Sequence, residues 1–240
     1  ALGGSGLKVG VIEPQVAAAM EKGYGLRVSA ITLASQTVFE NIGAWDGMRA
    51  QRIAPVEAMR IREDNSILNF DSADIGEPCL AWIIENSVIV AALAARMRQF
   101  PDVDVLSPAR VAMVLLGDER VSVRLEDGRE LQTKLLVGAD GAESRVRREA
   151  GIEWMRHDLG QSAIVAVVKT ERPHASTAYQ NFLATGPLAF LPLADPRQVS
   201  IVWSADAARS VELMNLDDAA FNVELQMAFG NRLGDVGSDL

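Results

Sequence analysis

The segment Lys134-Leu135-Leu136-Val137-Gly138-Ala139-Asp140-Gly141-Ala142-Glu143-Ser144-Arg145-Val146-Arg147 constrains the fold more than any other stretch of the chain. An apolar run stops at a small-residue turn that carries an acid, and a basic helix start follows. Leu135 to Val137 read as a short buried strand. Gly138 and Gly141 permit a tight turn and close approach of the backbone to a ligand, and Ser144 can cap the next helix. Asp140 then stands at the carboxyl end of a strand, where open α/β sheets bind ligands. An isolated Asp-Gly is also compatible with a β-turn whose carboxylate bonds only its own backbone.

The rest of the chain alternates strands and helices. Leu7 to Ile12 form an apolar strand ending at Glu13, and an acid at the end of the second strand of a dinucleotide fold accepts hydrogen bonds from a ribose hydroxyl. The other reading of Glu13 is ordinary loop charge before Pro14. Gly3-Gly4-Ser5-Gly6 has no strand before it and reads as the end of a helix and a turn, not as a phosphate loop. Gln15 to Gly25 reads as a mobile loop, and Ser29 to Ile42 as a helix stopped at Gly43. Val56 to Asp71 alternates about Asp64-Asn65-Ser66, a hairpin signature. A helix is predicted over Asn86 to Arg98.

Strands over Asp102–Leu106, Arg110–Leu116, Val121–Leu125 and Leu131–Val137 read as an antiparallel meander feeding the Asp-Gly turn. Four more are predicted over Ala163–Thr170, Ala178–Leu183, Pro187–Leu193 and Val199–Ser204, followed by a helix over Asp217–Phe229. The fold class is α/β with α+β elements.

Composition excludes several functions. A net charge of -9 opposes binding to nucleic acid, which depends on Lys and Arg. No run approaches the roughly 18 apolar residues of a transmembrane span. Cys79 stands alone with His157 and His174, so neither a disulfide framework nor a Cys/His zinc site is expected, and no metal is assigned. No Gly-x-Ser-x-Gly elbow is present, and Ser29, Ser87 and Ser144 have no evident His partner. The adjacent acids Glu126-Asp127 and Asp217-Asp218 read as solvated charge.

The Lys134–Arg147 segment resembles the Asp-Gly fingerprint of the FAD-dependent aromatic hydroxylases. In these single-component flavoprotein monooxygenases an apolar strand runs into small-small-Asp-Gly and then Ser-x-x-Arg. Asp140, Gly141, Ser144 and Arg147 fall on motif positions; Glu143 stands where Asn is usual. Leu26 to Ile31, Ile84 to Ile89, and Ala189 to Pro196 with Ser200 to Ser204 are similar to the subgroup of ubiquinone-biosynthesis hydroxylases. The likeness runs through nearly the whole chain in the expected order.

The resemblance implies a Rossmann-like FAD-binding domain interleaved with an antiparallel-sheet substrate domain. FAD-binding parts would be residues 1–53 and 83–160, a substrate-domain hairpin 54–82, and a substrate sheet 161–240. It places Asp140, Gly141, Ser144 and Arg147 near the FAD pyrophosphate and the path of NAD(P)H, and assigns Glu13 to the ribose. Arg27 takes the place of a flavin-contacting Arg, its alternative being a surface salt bridge. Asn86 takes that of a residue bonding the ribityl chain, its alternative being a helix cap. Phe190, Leu191 and Pro192 would wall the substrate pocket, although strand alternation leaves most such side chains in an ordinary core.

The implied activity is NAD(P)H- and oxygen-dependent hydroxylation of a polyprenylated phenol through a flavin C4a-hydroperoxide. The cofactor carries the chemistry, so no residue is singled out as catalytic. A first strand with its Gly-x-Gly-x-x-Gly turn and a later flavin segment are not found. The 240 residues therefore read as the middle of a longer protein that would hold FAD weakly or not at all by itself. Other ubiquinone-biosynthesis proteins are candidate partners, and the expected location is cytoplasmic, peripheral to the inner membrane. A non-catalytic scaffold of the quinone pathway and a flavin-linked reductase are the alternatives.

Overall fold

A computed structural model describes residues 2–15 and 23–237. Most of the loop expected over Gln15 to Gly25 therefore lies outside the described residues. In chain order the first elements are β1 (Val9–Ile12), β2 (Val28–Thr32), α1 (Leu33–Asn41), α2 (Trp45–Arg49), β3 (Ile53–Val56), β4 (Ala58–Glu63) and β5 (Ser66–Asp71). Then come β6 (Ala81–Glu85), α3 (Asn86–Met97), β7 (Val103–Leu106), β8 (Val111–Leu116), β9 (Val121–Leu125), β10 (Glu130–Thr133) and α4 (Arg145–Glu149). The last are β11 (Gln161–Thr170), β12 (Thr177–Leu183), β13 (Gly186–Pro192), β14 (Gln198–Asp206), α5 (Ala207–Met214), α6 (Asp218–Phe229) and β15 (Val236–Gly237). The chain divides into two compact units, Ala1–Ala18 with Ala94–His157, and Ala19–Leu93 with Asp158–Leu240.

In the first unit β1 and β7 pair in parallel, Val9 opposite Val103 through Ile12 opposite Leu106. The segment expected to open a meander is thus a parallel partner of β1 instead. The meander proper is β8-β9-β10, antiparallel throughout. Ala109, Val123 and Leu125 are its buried centre, with Ile12, Leu106 and Leu136 packed against them.

The strand predicted over Leu131 to Val137 ends at Thr133. Residues 134–139 carry no ladder, and Leu135 and Val137 are 75% and 69% exposed. Strand character requires a neighbour, and among the described residues none pairs with this segment. The Thr133 hydroxyl also donates to the Leu135 carbonyl and accepts from its N–H, closing a local turn. Gly3 to Gly6 form a turn, with the Gly4 N–H donating to the Asp102 carboxylate at 2.9 Å.

In the second unit the described strands form a sheet ordered β15-β11-β14-β13-β12-β4-β5 and a smaller one ordered β2-β6-β3. The large sheet is antiparallel except where β12 lies parallel to β4. No short turn joins those two strands, so their direction is set by packing and not by a hairpin. The β4–β5 hairpin lies where alternation predicted it. One face of the large sheet buries Leu188, Phe190, Ile201 and Trp203 against Leu213 of α5 and Phe221, Leu225 and Phe229 of α6. Elsewhere Ala178 and Leu193 bury against Ala54, Val56 and Ile83 of the small sheet, with Leu191 and Val167 packed on them.

Strand β2 (Val28–Thr32), paired with β6, takes Ser29 to Thr32 out of the helix predicted over Ser29 to Ile42. Its β-branched residues suit the pleat, and the helix starts only after Thr32, whose hydroxyl accepts from the Ser35 N–H at 3.2 Å. Helix α5 was not anticipated. Its start is signalled by Asp206, whose carboxylate accepts from the Arg209 N–H at 2.8 Å. Asp217, read as solvated charge, caps α6 in the same way through the Ala220 N–H.

Gly186 opens β13 with φ of +137°, and a Cβ there would lie 2.3 Å from the Ser204 carbonyl oxygen. Gly186→Ala is therefore expected to destabilise the β12–β13–β14 region by about 1–3 kcal/mol, combining a disallowed φ with a backbone clash. An unchanged urea midpoint would contradict this.

Candidate functional site

The Asp140 turn is built from its own hydrogen bonds. One carboxylate oxygen of Asp140 accepts from the Ser144 hydroxyl; the other accepts from the Arg145 N–H at 2.7 Å and the Val146 N–H at 3.3 Å. Ser144 is buried, and its hydroxyl also accepts from the Arg147 N–H at 3.0 Å, which makes it the N-cap of α4. Asp140 thus supports the start of α4 jointly with Ser144. Partial burial would raise the Asp140 pKa, but the Ser144 hydroxyl and the Val146 and Arg145 amides together hold it below the usual carboxylate range. The residue remains exposed, and its two oxygens keep lone-pair capacity beyond these three donors.

Gly141 follows with φ of +82° and nothing within 4 Å of where a Cβ would stand, leaving the backbone of the turn open to close approach. Arg147 is turned back on the same turn. Its Nη2 donates to the Ala142 carbonyl at 2.6 Å, and its guanidinium lies 4.3 Å from the centroid of the Trp154 ring. In this arrangement it braces the turn. Glu13 is exposed at the end of β1, held by its backbone between Leu106 and Ala109; one carboxylate oxygen accepts from the Gln15 N–H at 3.0 Å. An acid there, at the carboxyl end of a parallel strand, can accept from a ribose hydroxyl.

Arg27 and Asn86 meet in the second unit. They lie one step beyond the Val28–Glu85 pair of β2 and β6, and the Asn86 N–H donates to the Arg27 carbonyl at 3.0 Å. The Asn86 side chain accepts from the Ser29 hydroxyl at 2.7 Å, so it ties the start of α3 to β2. Arg27 is exposed, and its guanidinium has no hydrogen-bond or ion-pair partner among the described residues. A charged fork held at a strand end in this way can receive a phosphate or another polar group.

Beneath this pair lies a cluster that sequence reading missed. Glu85, 2% exposed, accepts from the Gly25 N–H at 2.7 Å and from Arg52 Nη2 at 3.2 Å, and its second oxygen lies 3.2 Å from Arg52 Nε. Its signal was present in the sequence: an acid closing the apolar run Ala81-Trp82-Ile83-Ile84.

The β13 residues separate by face. Phe190 is fully buried and stacks on Phe229, centroids 3.7 Å apart and planes 16° from parallel, so its side chain belongs to the helix-covered core. Pro192 is also buried, whereas Leu191 is half-buried and packs toward the small sheet. Beside this region a shallow hollow of about 220 Å³ is lined by Ala54, Pro55, His174, Ser176, Leu193 and Ala194. His174 is buried there; its Nδ1 accepts from the Ser176 N–H at 3.1 Å, so Nε2 carries the proton and donates to the Leu193 and Asp195 carbonyls, each at 3.0 Å.

A parallel strand pair ending in an exposed acid, an open Asp-Gly turn before a capped helix, and large and small sheets interleaved along the chain define a protein of the α/β class. The chain belongs to the FAD binding domain family, which it matches over residues 2–238. It is 37% identical over 218 residues to the Danio rerio protein "Ubiquinone biosynthesis monooxygenase COQ6, mitochondrial", covering 86% of this chain and 45% of that one. It is 35% identical over 237 residues to "Ubiquinone hydroxylase UbiL" of Rhodospirillum rubrum, covering 98% and 54%. To "3-demethoxyubiquinol 3-hydroxylase" of Escherichia coli it is 33% identical over 210 residues, covering 87% and 54%.

The chain thus spans about half the length of the curated relatives it matches. Among solved structures, a Pseudomonas aeruginosa PqsL variant superposes with a TM-score of 0.81 at 20% identity, covering 96% of this chain and 63% of that one. A Klebsiella pneumoniae HpxO variant complexed with FAD superposes at 0.64 and 16% identity, covering 93% and 56%. These likenesses establish the fold.

Proposed function

We propose that the full-length protein carrying this chain is an FAD- and NAD(P)H-dependent monooxygenase that hydroxylates the aromatic ring of a polyprenylated phenol in ubiquinone biosynthesis. The observation that carries the reading is the open Asp140-Gly141 turn, in one unit with an exposed Glu13, in a chain of the FAD binding domain family. The names of its relatives supply the pathway. On this reading residues 1–53 and 83–160 form the FAD-binding part, and 54–82 and 161–240 the substrate part.

The residues fit the cofactor. Glu13 would accept from a ribose hydroxyl, and Asp140 would use its remaining lone-pair capacity toward the flavin nucleotide, with Gly141 leaving room for it. Ser144 and Arg147 would hold the shape of that turn. Arg27 would supply a charged donor and Asn86 a side-chain amide. Bound FAD would supply the redox chemistry, taking reducing equivalents from NAD(P)H and activating molecular oxygen. The protein's own task is to orient the ring and exclude water. Leu191 offers the apolar surface for this, while Phe190 and Pro192 would back the strand from its buried face.

No helix among the described residues is long and apolar enough to cross a membrane. We place the protein in the cytoplasm, peripheral to the inner membrane, where a prenyl tail is accessible. The full-length protein should carry FAD and consume NAD(P)H and oxygen when a prenylated phenol is added. A scaffold would show neither flavin nor consumption, and a reductase would use no oxygen.

Tail length should govern affinity, because each buried methylene contributes about 0.8 kcal/mol. Little charge lies in Ala163–Val168 and Pro187–Ala194 to pair with an ionised small substrate. Comparing prenylated with bare phenols in product formation checks this. Equal turnover of bare hydroxybenzoate would leave only a generic aromatic hydroxylase.

A further inference from the structure

Glu85 is an unusual residue to find at the end of a buried strand. Removing a carboxylate from water is costly unless nearly every lone pair is used, and a pair of apolar residues would fill such a site more cheaply. The groups that meet it come from two directions. Arg52, 27% exposed, approaches from just before β3, and the Gly25 N–H comes from the segment leading into β2. The Nε contact at 3.2 Å lacks the alignment of a hydrogen bond, so the Gly25 N–H at 2.7 Å is the shortest contact Glu85 makes in the pair. The carboxylate therefore pins a backbone segment as much as it pairs with a cation.

That segment carries Tyr24, whose ring and hydroxyl have different partners. The Tyr24 ring lies under the Arg52 guanidinium, 4.8 Å from centroid to carbon. The Tyr24 hydroxyl accepts from the Asp195 N–H at 2.9 Å. Three residues past Tyr24 stands Arg27, whose guanidinium is open. On its other side the turn Leu193–Pro196 is held by His174 Nε2 and by the Gln198 and Arg197 amides bonding back to Asp195. Tyr24 is thus the link between the Arg27 segment and the turn that follows β13.

We propose that Glu85, Arg52 and Tyr24 are positioning residues: Glu85 and Arg52 fix the segment that presents Arg27, and the Tyr24 hydroxyl registers the turn Leu193–Pro196 to that segment. This rests on the FAD-dependent reading given above. Glu85 then governs flavin affinity, and Tyr24 governs how the substrate wall is set. The two effects separate because the Gly25–Glu85 bond and the Tyr24–Asp195 bond share a segment but no atoms.

The test uses the full-length protein with FAD, NAD(P)H and a prenylated phenol. Glu85→Gln, which keeps shape and removes charge, is expected to raise the FAD Kd by about ten- to a hundredfold. Tyr24→Phe keeps the ring over Arg52 and removes only the acceptor. It should leave the FAD Kd within about twofold of wild type while raising the phenol KM and the peroxide released per NAD(P)H by up to about tenfold.

If Glu85→Gln does not fold, Arg52→Lys takes its place with the same expectation, since an ammonium cannot reproduce the fork. Variants that lower the melting temperature but keep wild-type FAD Kd, phenol KM and coupling overturn the proposal. So do variants that lose FAD and phenol affinity to the same extent. A wild-type protein that binds no FAD would instead overturn the functional reading on which the proposal stands.

Discussion

Replacing Asp140 by alanine in the full-length protein is expected to act twice. The first effect is local: the carboxylate receives the Ser144 hydroxyl and the Arg145 and Val146 amides, and loss of such a cap costs about 0.5–2 kcal/mol. The second is on flavin. A charge-assisted hydrogen bond contributes about 1.5–3 kcal/mol, so FAD affinity should fall roughly ten- to a hundredfold. Asp140→Asn, with one carbonyl oxygen left as acceptor, should fall between. Flavin titration followed by fluorescence measures the second effect and urea unfolding the first. Lower stability with an unchanged FAD Kd would leave Asp140 as a helix cap alone.

The same residue sets a pH dependence. Its carboxyl pKa is lowered in the folded protein, so its contribution to stability is fully present above the unfolded value of about 3.9 and is lost as pH falls through the folded value. The stability gap between wild type and Asp140→Ala should therefore narrow only below about pH 4. A gap unchanged at more acid pH would mean that the cap does not depend on the charge.

Phe190→Ala should produce the largest loss of stability. The ring is fully buried, stacks on Phe229, and lies opposite Ile201 on β14 in the most extensive core cluster. Phe-to-Ala changes at such sites cost about 3–5 kcal/mol through lost transfer energy and an unfilled cavity. Against a total of about 5–15 kcal/mol for a typical domain, that is a large fraction. Leu191→Ala, on the other face, should cost less stability and act on phenol KM. If Phe190→Ala keeps its unfolding midpoint and alters only substrate kinetics, the assignment of the two faces is reversed.

Much of the architecture was readable because it rests on local periodicity and local chemistry. The β4–β5 hairpin follows from alternation about Asp64-Asn65-Ser66, and α6 lies within the helix read over Asp217 to Phe229, although the capping role of Asp217 at its start was not read. Strands β11 to β14 follow from short apolar runs between turn residues. Glu13 could be placed because the strand before it has a clear end. Where tertiary pairing overrides local preference, reading failed. Val28 to Thr32 suit helix and strand alike until β6 lies beside them. Leu135 to Val137 look like a strand but, among the described residues, have no partner.

By itself the sequence determined which segments are candidates for the site: the acid at Glu13, the Asp140-Gly141 turn with Ser144, the arginine at position 27 and the apolar strands of the large sheet. Each of these is a short-range pattern, written in neighbouring residues. Only the tertiary structure decided what those groups touch. It committed the Asp140 carboxylate partly to the start of α4, turned Arg147 onto Ala142 and Trp154, and put Phe190 and Leu191 on opposite faces. It also brought Tyr24, Arg52, Glu85 and Asp195 together, residues separated by up to 171 positions. Contacts of that span depend on how sheets pack and in which direction strands return, and no local run of side chains encodes them.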